Sequence, residues 1–141
     1  MSTPESYLIR LSERIVPLAW ESPAELSTEE RHFVCVWQLE AEVNNGGFHQ
    51  YYFNSAGDLA LDTAEAFDAI GARHTAQIVR GANAVFPDGP PRDRDARQSA
   101  LDGLPDDAFV EFDDRFLAYE EDLSSLLYAY VQSNRRSIRG A

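Results

Sequence analysis

Lysine is missing from this chain. All 12 basic residues are arginine, set against 24 acidic residues, for a formal charge of −12 at pH 7. A phosphate loop of the Gly-Lys-Ser/Thr kind is excluded, because Gly46-Gly47 is followed by Phe48. Cysteine occurs once, as Cys35, which excludes an internal disulfide. Its apolar neighbours Val34 and Val36 predict a buried, inert thiol. The longest apolar runs, near Val34 and Leu126, are too short to cross a bilayer. Met1-Ser2-Thr3-Pro4-Glu5 lacks the charged-then-apolar pattern of a secretion signal. The expectation is a cytoplasmic protein with no membrane contact. Alternating apolar–polar runs bounded by hairpin turns are absent, so no strand is predicted.

What remains reads as helix. At 141 residues the chain suits one domain with a proper core. Pro4 suits a first helical turn, and Tyr7, Leu8, Leu11 and Ile15 follow at helical spacing as far as Pro17. Residues 20–26 read as a connector. Ser27 and Glu30 form a capping box, in which each side chain satisfies the other's orphan amide. Apolar residues from Phe33 to Val43 cover most of the circumference of the helix it opens, so that helix is expected at the centre of the fold. Further helices are expected over 59–70, stopped by Gly71, and over 76–86, stopped by Pro87. Residues 92–101 suit at best a weakly amphipathic polar helix. Phe109, Phe112, Phe116, Tyr119, Leu123, Leu126 and Tyr130 form one apolar stripe, on one long helix or on two broken near Glu120-Glu121-Asp122. The fold class is therefore all-α, a single domain of about six or seven helices over residues 1–134, with a frayed basic tail at 135–141.

The densest segment runs from Val43 to Asp58. Asn44 to Gly47 can end one helix and turn sharply. Phe48, Tyr51, Tyr52 and Phe53 then point their rings at a core, and Asp58 can cap the helix that follows. The pattern Asn44-Asn45-Gly46-Gly47-Phe48-x-Gln50-Tyr51-x-Phe53-Asn54-Ser55-x-Gly57-Asp58, with Ala64, Ile70-Gly71-Ala72 and Ala76 after it, resembles the bacterial DNA-mimic protein (DMP) family, otherwise catalogued as a domain of unknown function. The resemblance covers about residues 27–130. It implies an all-helical fold and a homodimer. It also implies an acidic protein that occupies the DNA-binding face of a transcription factor, and hence a part in transcription regulation.

The residues also point to an interaction surface. Residues 102–122 hold nine acids and one base, Arg115. Asp107, Glu111, Asp114 and Glu121 lie opposite the apolar stripe; Asp113 and Glu120 flank it. Carboxylates one or two turns apart repeat on the order of 5–10 Å, and a rigid row of them approximates the coarse charge density of duplex DNA. Asp58, Asp62 and Glu65 are expected to form a second acidic patch. The expected partner is a basic nucleic-acid-binding protein, with no direct binding of nucleic acid. Arg135, Arg136 and Arg139 would oppose mimicry if the tail folded over the acidic face.

Enzymatic signatures are weak. Glu29-x-x-His32 has the spacing of one half of a di-iron site, but Gly46 and Gly71 stand where a second glutamate would precede His49 and His74. Ser55 is outside a Gly-x-Ser-x-Gly elbow. No catalytic residue, metal or cofactor is expected. Two alternatives stay open: an immunity-type inhibitor of a basic nuclease toxin, and a small-ligand binder or enzyme with a pocket between Asn45, His49, Tyr52 and Asp58.

Overall fold

The computed structural model describes residues 3–141, and among these it contains seven α-helices and no strand. Helix α1 spans Pro4–Glu21 and α2 spans Thr28–Phe53. A tight turn leads into α3, Ala60–Ala69, and α4, Arg73–Asn83. Then come α5, Arg94–Asp102, α6, Val110–Leu117, and α7, Leu123–Ser133. Helix α2 is the axis, packed against α1, α3, α5, α6 and α7.

Helix α1 runs through Pro17 rather than stopping there, so Trp20 and Glu21 are helical and the connector shrinks. Proline forfeits the bond to the carbonyl of Glu13, which lies on the exposed face. Leu11, Ile15 and Ala19 keep the inner face buried on both sides of it. At the start of α2 both halves of the capping box are made: Ser27 N–H donates to Glu30 Oε1 at 2.9 Å and Glu30 N–H donates to Ser27 Oγ at 3.0 Å. Phe33, Val34, Cys35, Val36, Leu39 and Val43 are all buried, as the breadth of the apolar face predicts. Burial pushes the Cys35 thiol up to about 11.

The helix bends at Gly46-Gly47, where φ at Gly47 is +79°, a value that suits glycine. Glu42 fastens the bend, since its Oε2 accepts from Gln50 Nε2 at 2.8 Å and from Asn54 Nδ2 at 3.1 Å. Beyond the bend, Phe48, Tyr51 and Tyr52 are buried among Phe67, Phe86, Phe109 and Phe116, mostly edge-on. Each such ring contributes about 1.5–3 kcal/mol by burial. Phe53 departs from expectation: it is 45% exposed and stacks on His49 outside the core.

The apolar stripe near the C-terminus is divided between α6 and α7. Tyr119 ends α6 with φ at +46°, the position a glycine normally takes. The tail is not frayed. Ile138 is buried, Ser27 Oγ donates to Ser137 O at 2.6 Å, and Arg139 embraces Glu30 through its N–H, Nε and Nη2, at 3.0, 2.9 and 3.0 Å. Burial alone would raise the Glu30 carboxyl, but the bonds from Arg139 and Ser27 outweigh it and hold it at about 2.

Candidate protein-interaction face

The acidic residues singled out by the sequence separate into those the fold uses and those it leaves open. Asp58 belongs to the first set. It is not a helix cap, since α3 starts from Leu59 with no side-chain cap. Its Oδ1 accepts instead from Nη2 of Arg97, at 2.9 Å. Arg97 is fully buried, and every N–H of its guanidinium has an acceptor: Tyr52 O, Pro91 O, Arg92 O, Asn54 O and Asp58. Sequence reading missed this residue, because a lone arginine on a polar helix gives no sign of burial. The only hint was local. Two carbonyls, Tyr52 O and Asn54 O, and the Asp58 carboxylate around the tight turn at 54–58 create a demand for donors that the turn meets only in part, through the Gly57 N–H on Asn54 O.

Asp113 and Glu121 are also structural. Asp113 Oδ1 accepts from the Phe48 N–H at 2.7 Å, capping the second limb of α2 just after the bend. Burial pushes its carboxyl up, against the pull of that N–H. Glu121 closes the start of α4, accepting from Thr75 N–H at 2.8 Å, Thr75 Oγ1 at 2.7 Å and His74 N–H at 3.2 Å. Burial opposes its ionisation, but these bonds prevail and hold its pKa below the ordinary value. The expected row from Asp107 to Glu121 is thus not continuous on one helix. It breaks at Tyr119, and its far end is turned into the fold.

The second patch is largely neutralised. Asp62 pairs with Arg92 at 3.1 Å and Arg31 at 3.6 Å, and neighbouring Asp68 pairs with Arg80. Only Glu65 of that face is exposed with no ion pair among the described residues. Glu120 is exposed and meets His74 at 2.8 Å.

The open set lies on α5's last residue, the turn after it, and α6. Asp102, Asp106, Asp107, Glu111 and Asp114 are all exposed. The single base in this stretch, Arg115, pairs with Glu111 one turn away, at 2.8 Å. Beneath them Phe109 and Phe116 are buried, and Asp113 ties α6 to α2. The carboxylates are therefore mounted on a fixed scaffold. Glu111 and Asp114 sit three residues apart on one helix, with about 5–6 Å between their Cβ atoms. The tail does not lie over this face: Arg139 is held by Glu30 and by Glu25 O, at 3.1 Å.

The pocket considered between Asn45, His49, Tyr52 and Asp58 does not form. Tyr52 is buried with its hydroxyl on Asn83 Oδ1 at 2.6 Å, Asp58 faces Arg97, and Asn45 is exposed. His49 lines a separate cavity of about 190 Å³ with Asp102, Asp106 and Phe109. His32 is bonded to the Tyr130 hydroxyl at 2.7 Å, and no three His, Cys, Asp or Glu side chains converge as metal ligands among the described residues. No described helix is long and apolar enough to cross a membrane.

Fold and face together define an all-helical domain with one rigid, cation-poor surface. A family model described as DMP19-like protein matches residues 24–134, and the chain belongs to that family. No curated protein and no solved structure matches this chain.

Proposed function

We propose that this chain is a non-enzymatic acidic interaction protein of the DNA-mimic kind, which covers the nucleic-acid-binding surface of a basic protein, such as a transcription factor. One observation carries the reading: five exposed carboxylates between Asp102 and Asp114 stand on a fixed turn and helix, with one cation, Arg115, beside them. Rigidity matters because a disordered acidic run must be ordered on binding, at a cost. A surface that presents arginine or lysine to phosphates would meet these carboxylates with charge-assisted hydrogen bonds instead. Membership of the DMP19-like family supports the reading. The contacts assigned to the partner are Asp106, Asp107, Glu111 and Asp114, with Glu120 at the edge. Asp58, Asp113 and Glu121 support the fold beneath them. The homodimer would draw on exposed apolar side chains such as Ile9, Trp20, Leu61, Val110 and Leu117, and sedimentation would measure it.

Affinity capture from the source cell's lysate, eluted in salt steps, tests the reading. The expected result is a basic DNA-binding protein released as salt shortens the screening length below about 8 Å, and displaced by duplex DNA. Capture of a basic nuclease whose activity is blocked would turn the reading to an inhibitor. Absence of any salt-sensitive, DNA-competed partner would reject it.

A further inference from the structure

Helix α2 and the residue that ends α6 enclose an open cleft of about 350 Å³, lined by Trp37, Glu40, Ala41, Asn44 and Tyr119. We propose that this cleft receives one cationic side chain, the head of an arginine or lysine from the basic partner. The inference rests on the proposed function and supplies that interaction with a specific anchor.

The α2 residues recur three and four apart, so they share one face of the helix. Trp37 presents a large ring that is stacked on Phe33 behind it, with centroids 5.7 Å apart. Ala41, one turn on, is small and leaves the volume open. Tyr119 forms the opposite wall and is 39% exposed. Its hydroxyl donates to Glu40 Oε2 at 2.9 Å and accepts from Asn44 Nδ2 at 2.6 Å. Glu40 therefore shares the cleft with two aromatic rings and is oriented by one donor, the Tyr119 hydroxyl. No arginine or histidine of the described chain forms an ion pair with it. Burial pushes its carboxyl up, and no nearby cation offsets that.

A partly buried carboxylate that shares a cleft with tryptophan and tyrosine rings is the chemistry that takes organic cations. The ring faces attract positive charge, tryptophan most strongly, and the carboxylate supplies the counter-ion. The backbone agrees with this. Tyr119 is the only described non-glycine residue at positive φ, and that conformation is unfavourable by about 1–2 kcal/mol. Strain of this kind gathers at ligand clamps. Here it brings the Tyr119 hydroxyl to Glu40 and sets the ring against the cleft. The α6 C-terminus, with its partial negative charge, ends at the same place.

Trp20 and Trp37 are the two tryptophans, so Trp20→Phe leaves the cleft residue as the single fluorescent reporter. N-acetyl-arginine amide and N-acetyl-lysine amide are the probes, and N-acetyl-citrulline amide is the neutral control of the same shape. The expected result is a saturable Trp37 response to the cations, at least tenfold weaker for the neutral control. Glu40→Gln keeps an acceptor for Tyr119 and should weaken cation binding at least fivefold with an unchanged melting curve. Equal responses to arginine and citrulline, or Glu40→Gln binding as tightly as the parent, would overturn the cleft. Overturned in that way, with salt-sensitive capture of a basic protein intact, it would fall alone and the proposed function would stand. Saturable, Glu40-dependent arginine binding without any such capture would keep the cation site and sink the proposed function.

Discussion

The turn at residues 54–58 and the segment at residues 102–114 start from similar material and reach opposite states. Each interrupts a helical run with glycine beside aspartate, Gly57-Asp58 in one and Asp102-Gly103 in the other. In the first, Arg97 arrives from 39 residues away, is buried completely, and takes up Asp58 with the bare carbonyls around it. In the second, no distant cation arrives among the described residues, and every carboxylate except that of Asp113 stays in water. Asp58, Asp113 and Glu121 are structural because a remote segment delivers a donor to each. Their own neighbours in sequence do not announce that role.

Removing that delivered donor should have the largest effect. Arg97→Met leaves four backbone carbonyls and the Asp58 carboxylate without their partner. The orphaned carbonyls cost about 1–3 kcal/mol each where they stay buried, for a loss of about 3–5 kcal/mol in all, and Asp58, being 41% exposed, adds little. Urea unfolding should show a loss in that range. Gly57→Ala attacks the same node from the other side, since a Cβ there would sit 2.6 Å from Arg97 Nε and 2.7 Å from Tyr51 O. A loss below about 1 kcal/mol in Arg97→Met would erase the contrast between the two regions.

Next comes Glu30, the acid that receives the tail. Its folded value of about 2 lies below the ordinary 4.5. A depressed carboxylate adds stability above its unfolded value, and this is lost as pH falls through the folded one. The contribution is about 2–3 kcal/mol, reduced from the full linkage value because Arg139 is partly exposed. Unfolding free energy should decline between about pH 4.5 and pH 2, and Glu30→Gln should remove that part of the slope. An unchanged slope in Glu30→Gln would mean that the tail contact contributes nothing.

Asp113 separates charge from hydrogen bonding within the acidic segment itself. Asp113→Ala strands the Phe48 N–H and should cost about 1–2 kcal/mol. Asp113→Asn keeps an acceptor oxygen and should change stability by less than about 0.5 kcal/mol near neutral pH. Because burial raises its carboxyl, protonation favours the folded state, so this residue gains stability as pH falls toward its ordinary range. Equal losses in the two variants would make the charge, rather than the cap, the feature the fold needs.

Much of the fold could be read from local signals because these signals are complete within a few residues. The Ser27–Glu30 capping box, the Gly46-Gly47 bend and the Gly71 stop need no distant partner to be understood. Pro17 misled because the carbonyl it leaves unbonded, that of Glu13, falls on the exposed face. Phe53 misled because a ring among rings looks like core, although the last turn of α2 rotates it outward. The candidate site was legible only in part. Composition marked the acidic stretch, but the roles of Asp58, Asp113 and Glu121 depend on Arg97, Phe48 and Thr75, each far away in sequence. The cleft at Tyr119 was invisible for the same reason, as Asn44 and Tyr119 are 75 residues apart.

The smallest change in stability is expected where the change in binding is greatest. Asp107, Glu111 and Asp114 are exposed, and among the described residues their one ion pair is Glu111–Arg115, worth no more than about 0.5 kcal/mol. Replacing all three with arginine should leave the unfolding midpoint nearly unchanged, or raise it slightly by relieving repulsion on a strongly acidic protein. Salt-sensitive capture of a basic partner should be lost. Including Glu121 would confuse the test, since its reversal would also uncap α4. The contrast with Arg97→Met then becomes quantitative: one charge removed from the buried node strongly destabilises the fold, whereas three charges reversed on the open face leave it intact and silent. Full retention of partner binding in the triple variant would take the function away from this face. A large loss of stability would show that the open carboxylates are part of the scaffold after all.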